Sequence, residues 1–244
     1  KKDITMVYIC GDTHNIIDID KLDVESWEDG AFLTKNDYLI VAGDFGLIWD
    51  LQQSKREQEL IEWYNSKPWT TLFIDGNHEN FNRLFSDEFP EIEMFGSKVK
   101  KISDSIFYLQ RGNIYTIDRM TFFTFGGGQS IDKNRRHPNV SWWPQEIPDY
   151  EETNHAIQSL LSVQNCVDVI ITHTCSNESF EELANHFDFS YKSDSEKSLK
   201  DFFSWVQENV SYAKWYFGHF HADYNLSIGN QHALYAKEPM LVEL

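Results

Sequence analysis

Short apolar runs recur along the chain, and most of them end on a glycine or an acid. Residues 4–10, 37–42 and 70–74 are β-rich and apolar on both faces, which predicts buried strands. Residues 51–66 have few breakers and place Leu51, Leu60, Ile61 and Trp63/Tyr64 at roughly helical spacing. A short helix is expected near residues 20–28, where Leu22, Val24 and Trp27 interrupt an acidic stretch. Strand, helix, strand describes βαβ units and predicts parallel pairing. In the middle, residues 106–109, 113–117 and 121–125 are short runs separated by the turn signals Arg111-Gly112 and Asp118-Arg119, which predicts antiparallel hairpins.

Gly126-Gly127-Gly128 opens a stretch without periodicity that reaches Pro148. A loop of that length inside a compact domain is a functional candidate. Beyond it come a helix near 150–163, a strand over 167–172, and an irregular polar stretch over 176–193. A helix near 196–209 is capped by Asp194 or Ser195 and carries Leu199, Phe202, Phe203 and Val206 on one face. A strand at 214–217 and two or three short strands over 224–244 complete the chain. No repeat or linker interrupts this order, so a single α/β domain over residues 1–244, with a substrate loop at 126–148, is expected.

Composition narrows the function. The formal net charge of −18 argues against nonspecific binding to nucleic acid or an anionic membrane, where basic surface supplies the affinity. Two divalent cations would offset only 4 of those 18 charges, so most of the excess is ordinary surface. Three cysteines make no disulfide framework. Cys10 and Cys166 are read as small buried hydrophobes, and Cys175 as a neighbour of a ligand. No run approaches the ~18 apolar residues of a membrane span, and the start of the chain lacks a leader pattern. A cytoplasmic protein is expected.

The strand ends carry the chemistry. They gather Asp12 and His14; Asp44; Asn77 and His78; His173; and His219 and His221, which is five of the nine histidines. Asp12 and His14 are two residues apart, so in extended chain they share a side. Open α/β sheets bind ligands beyond the carboxyl ends of their strands. A mixed oxygen and nitrogen set without thiolates disfavours structural zinc. It suits a hydrolytic centre of two cations about 3.5–4 Å apart. Asp44 is the natural bridge, and a shared water that ionises near neutral pH is the nucleophile. His155, His186 and His232 are expected at surface or packed positions.

Gly11-Asp12-Thr13-His14, Gly43-Asp44, Gly76-Asn77-His78-Glu79, Thr172-His173 and Gly218-His219-Phe220-His221 resemble, in order, the five motifs of the calcineurin-like metallophosphoesterases. The resemblance implies a four-layer α/β/β/α sandwich with two mixed sheets flanked by helices. It implies one cation on Asp12, His14, Asp44 and His221, and a second on Asp44, Asn77, His173 and His219. Manganese is the first choice, with iron, zinc, nickel and magnesium as alternatives. His78 would contact the phosphate and protonate the leaving oxygen. The expected activity is hydrolysis of a small phosphorylated substrate, foremost a nucleotide or other phosphodiester. Rival readings are a nuclease, a Ser/Thr protein phosphatase of the same fold and a non-enzymatic scaffold.

The second motif departs from the protein-phosphatase branch, which has Gly-Asp-x-x-Asp-Arg-Gly. Here it runs Gly43-Asp44-Phe45-Gly46-Leu47-Ile48-Trp49, without that Arg and without the Asp that orients the acid histidine. Asp50 and Glu79 are the candidates for that orienting role. The 126–148 loop resembles a segment of small bacterial and phage members. Its Arg135 and Arg136 suit phosphate, and Trp142 and Trp143 suit stacking on a base. The alternative is that the arginines pair with nearby acids and the tryptophans pack a core edge.

Overall fold

The computed structural model describes residues 5–188 and 196–244. Strand β1 (Val7–Cys10) leads through two 3-10 turns, Ile19–Leu22 and Glu28–Phe32, into β2 (Tyr38–Ala42). The helix expected near 20–28 is therefore two separate turns, because the acidic stretch offers no continuous apolar face. Helix α1 (Lys55–Ser66) starts four residues later than expected, since the Ser54 side chain caps it by accepting from the Glu57 backbone N–H. Next come β3 (Thr70–Ile74), the single turn α2 (Phe81–Leu84), β4 (Glu91–Met94), β5 (Ser97–Lys101), β6 (Ile106–Leu109), β7 (Asn113–Ile117) and β8 (Met120–Phe125). After the long loop follow α3 (Tyr150–Ser162), β9 (Val169–Thr172), α4 (Asn177–Phe187) and α5 (Lys197–Asn209). The chain ends with β10 (Lys214–Phe217), β11 (Tyr224–Asn225), β12 (Gln231–Ala233) and β13 (Met240–Leu241).

Two further expectations change, and a third is not tested. The stretch from 176 contains α4, capped by Ser176, whose side chain accepts from the Ser179 backbone N–H. The proposed α5 caps, Asp194 and Ser195, lie outside the described residues. Cys166 is exposed, because it stands in the turn after α3 where Gln164 and Asn165 take left-handed backbone; Cys10 and Cys175 are buried. The β4–β5 hairpin has no clear counterpart in the hydrophobic pattern, because its strands are charged and only partly buried.

Among the described residues the strands form two mixed sheets, in the orders β13-β1-β2-β3-β6-β5-β4 and β11-β12-β10-β9-β8-β7. Parallel pairing links β1, β2, β3 and β6 in the first sheet, and β8, β9, β10 and β12 in the second. Alternation along each buried strand builds three apolar layers. Val7, Ile9, Ile40 and Leu72 face Val169, Ile171 and Tyr216 between the sheets. Tyr8, Cys10, Leu39 and Phe73 pack outward on Leu60 and Tyr64 of α1 and on Trp27. Phe123, Ile170, Trp215 and Phe217 pack outward on α3, α4 and α5. These layers separate four of structure, the α/β/β/α sandwich. No helix among the described residues is long and apolar enough to cross a membrane.

Candidate metal centre

Six of the parallel strands, β1, β2, β3, β8, β9 and β10, end toward one rim, and the residues at their carboxyl ends meet there. Small residues make the approach close enough. Gly43 has φ +87°, and a Cβ there would lie 2.2 Å from Nδ1 of His173. A Cβ on Gly218 would lie 2.1 Å from Oδ1 of Asp12. His14, Asp44, His219 and His221 also take left-handed backbone, with φ 44°, 46°, 71° and 50°. Such conformations cost energy in non-glycine residues and cluster where function demands them.

Asp12 and Asp44 are both buried at the centre. Nε2 of His14 is 3.2 Å from Oδ2 of Asp44 and 3.8 Å from Oδ2 of Asp12. Nε2 of His221 is 3.4 Å from Oδ2 of Asp12. On the other side, Nε2 of His173 is 3.2 Å from Oδ1 of Asp44 and 3.3 Å from Oδ1 of Asn77. Asp44 thus turns one carboxylate oxygen to each side. His219 stacks edge-on against His173, with ring centroids 4.9 Å apart. Ligand atoms of Asp12, His14 and His221 lie within 4.8 Å of one another, as do those of Asp12, Asp44 and His173.

The donors are poised for cations. Metal-bound histidines commonly anchor the second ring nitrogen on a carboxylate or carbonyl. His14 does so through Nδ1, 2.6 Å from Oδ2 of Asp18, and His173 through Nδ1, 2.9 Å from the Ala42 carbonyl oxygen. Each leaves Nε2 facing the carboxylates. Oδ2 of Asp12 is buried without a hydrogen-bond donor. Burial pushes the Asp44 carboxyl up, but His173, His78 and His14 around it hold it well below the usual range. In return, burial lowers His14 and His173, but Asp44 and Asp12 raise the first to about 9 and the second to about 10. The buried carboxylates demand positive charge, and protons on these rings meet it in the absence of a cation. A divalent ion replaces such protons when it binds. The residues present therefore fit a two-cation site.

His78 stands at the mouth. Its backbone N–H donates to Oδ1 of Asp44 at 2.7 Å, and its Nε2 is 3.9 Å from Oδ2 of Asp44. Burial lowers the ring's pKa, with Asp44 opposing. The ring is oriented by neither of the two carboxylates suggested by the sequence. Oδ2 of Asp50 accepts from the Ser54 hydroxyl. Oε1 of Glu79 accepts the backbone N–H groups of Phe45 and Gly46 at 2.9 and 3.3 Å, fastening one motif to another. Instead His78 stacks on Trp49, with centroids 5.7 Å apart and planes at 26°, and Trp49 packs edge-on against buried Trp143.

A cavity of about 370 Å³ opens over the centre. The long loop gives it Gln129, Ser130, Ile131, Asp132 and Arg136, and Phe180 and Phe220 form an apolar wall. Arg136 is paired with Asp132, Nε to Oδ1 at 2.7 Å, and donates to the Ser141 carbonyl. Arg135 is exposed, and neither it nor Trp142 lines the cavity; Lys133 lies over the Trp142 ring at 5.9 Å. Asn77 donates from Nδ2 to the Ser130 hydroxyl at 3.3 Å, which directs its Oδ1 to His173. The Ser130 backbone N–H in turn donates to buried Glu146 at 3.1 Å.

Several supporting residues had no signal in the sequence beyond being acids or aromatics. Asp75 is wholly buried under the β3 tip, where it accepts from Arg111 at 2.9 and 2.6 Å and from the Tyr108 hydroxyl at 2.7 Å. Asp18 was findable, since four residues after His14 is one turn of chain. Glu196 and Glu146 reach the site only through tertiary folding.

The chain belongs to the calcineurin-like phosphoesterase family, whose family model matches residues 5–223. This is a family of metal-dependent phosphoesterases. No curated protein matches the chain. Among solved structures, TT1561 of Thermus thermophilus is similar at a TM-score of 0.50 and 10% identity, covering 97% of this chain and 90% of that one. The phosphopantetheinyl hydrolase PptH from Mycobacterium tuberculosis gives a TM-score of 0.46 at 15% identity, covering 98% and 95%. At such identities the likeness to TT1561 concerns the fold alone.

Proposed function

We propose that this protein hydrolyses a small phosphorylated substrate, a nucleotide or another phosphodiester, at a two-cation centre bridged by Asp44. The observation that carries the reading is the division of Asp44, one oxygen toward His14 and the other toward His173, both at 3.2 Å. Asp12, His14 and His221 complete one position, and Asn77, His173 and His219 the other. Manganese suits the mixed oxygen and nitrogen donors, with iron, zinc, nickel and magnesium as alternatives. When bound, two divalent ions supply Lewis acidity toward phosphoryl oxygens and bring the pKa of water near neutrality.

The chain's own residues do the rest. Water attacks phosphorus in line with the leaving oxygen, and the P–O bond opposite breaks. His78 delivers a proton to that oxygen. Burial holds His78 low in the free protein, and an anionic phosphoryl group beside the ring raises it again. Arg136 and Asn77 hold phosphoryl oxygens, while Ile131, Phe180 and Phe220 exclude water from the substituent. Arg135 and Trp142 enter this reading with a substrate that extends along the loop past Arg136.

The test is turnover of the mono- and bis-p-nitrophenyl esters of phosphoric acid after chelation and again with Mn²⁺ restored. Metal-dependent hydrolysis with the diester preferred is the expected result. Preference for the monoester redirects the substrate to phosphomonoesters. Equal rates with and without metal would sink the two-cation reading.

A further inference from the structure

We propose that Glu196 is the positioning residue that turns His219 so that Nδ1, and not Nε2, serves the second cation position. The inference rests on the two-cation reading above. His14 and His173 each have Nδ1 tied to an acceptor and offer Nε2. His219 has the opposite arrangement. Its Nε2 lies 3.4 Å from Oε1 of Glu196, a wholly buried residue just ahead of α5.

The carboxylate is held in place from two sides. Oε1 accepts the Gln129 backbone N–H at 3.2 Å, so the long loop grips it directly. Oε2 is 3.1 Å from Nζ of Lys200, four residues along the chain. A buried carboxylate is costly without such partners. Lys200 balances its charge, and Gln129 leaves Oε1 directed at the imidazole. A neutral ring beside an anionic acceptor keeps its hydrogen on the nearer nitrogen, Nε2, and its lone pair on Nδ1.

The approach to Nδ1 is kept clear. A Cβ built on Gly128 would lie 3.3 Å from Nδ1 of His219 and 2.9 Å from the His173 ring. Any larger residue would crowd the two rings that serve the second position. The His219 backbone is fixed as well, since its N–H donates to Oδ1 of Asp12 at 3.1 Å. With its backbone held, the ring can still turn about χ1 and χ2, and the approach of Nε2 to Glu196 selects its orientation. This explains why the loop that lines the cavity reaches a residue far along the chain: Gln129 holds Glu196 for His219 as its neighbour Ser130 holds Asn77.

The experiment is a calorimetric titration of Mn²⁺ into chelated full-length wild type, Glu196→Ala and Glu196→Gln, with long-range ¹H–¹⁵N NMR of the histidine rings in the metal-free proteins. In Glu196→Ala one of the two equivalents binds as in wild type and the other about 10–100-fold more weakly. Glu196→Gln keeps an acceptor for Nε2–H and loses less. His219 appears as the Nε2–H tautomer in wild type and as a mixture in Glu196→Ala. Two unchanged equivalents in folded Glu196→Ala overturn the proposal, as does an Nδ1–H tautomer in wild type. Equal weakening of both equivalents marks a merely structural role and overturns it too. Should Glu196→Ala not fold, one selectively weakened equivalent in Glu196→Gln supports the proposal and two unchanged ones overturn it. Wild type that binds fewer than two equivalents contradicts the two-cation reading itself, and this proposal falls with it.

Discussion

On one side of Asp44, His221 is half exposed and stacks on Tyr235, with ring centroids 4.4 Å apart, while His14 leans on Asp18 four residues away. On the other side, Asn77 and His173 are buried, and their supports come from afar: the Ala42 carbonyl, Ser130 and, at His219, Glu196. At the first position the ligands are distant in the chain, but the supports of His14 and His221 are local and nearer solvent. The second is built from four distant parts of the chain and closes only when the long loop and α5 are in place. Losing a tertiary support should therefore disturb the second position and leave the first intact.

The comparison breaks most completely at the residue the two sides share. Asp44→Asn should lower kcat by more than about 100-fold, above the usual cost of losing an outer support, and reduce metal content at both positions by elemental analysis. Wild-type turnover in that variant removes Asp44 from the bridge. The His78 ring meets His14 edge-on and lies 3.9 Å from Oδ2 of Asp44, but it is a ligand of neither proposed position. His78→Ala should keep both cations and lose about 10²–10⁴-fold in kcat. Because a general acid must be protonated, kcat in wild type should fall as pH rises through the His78 pKa in the complex. That basic limb should vanish from the pH–rate profile of the variant.

Smaller effects separate the two sides. Ser130→Ala frees the Asn77 amide to turn and should weaken only one of the two Mn²⁺ equivalents, by about 10-fold. A matching loss at the other equivalent would erase the distinction between the sides. Arg136→Ala should raise KM more than it lowers kcat, by about 10-fold for a charge-assisted pair of this kind. No change in either constant would confine Arg136 to its pairing with Asp132.

The same contrast governs how much was legible in the sequence. Strand tips were legible because a buried strand announces itself as an apolar run, and the residues just past its carboxyl end must lie at the rim. Asp12, His14, Asp44, Asn77, His173, His219 and His221 all stand just past such runs, and the structure brings them together. The supports were not legible in the same way. Glu196 stands beside a polar stretch that holds nothing periodic, and Glu146 comes after Trp142-Trp143-Pro144, where no period operates. Trp49 replaces a carboxylate by ring stacking on His78, a substitution of one physical interaction by another that motif spacing does not encode. The β4–β5 hairpin was hidden because its residues are charged and half solvated, so alternation is weak. Helix α4 was hidden in a polar stretch because the neighbouring α5 supplies part of its burial.

The bridge by Asp44 is tested most directly by electron paramagnetic resonance of the chelated protein loaded with two equivalents of Mn²⁺. Two ions sharing one carboxylate are magnetically coupled, and the account predicts a coupled spectrum that Asp44→Asn abolishes. A spectrum of isolated Mn²⁺ ions in the fully loaded wild type would contradict it.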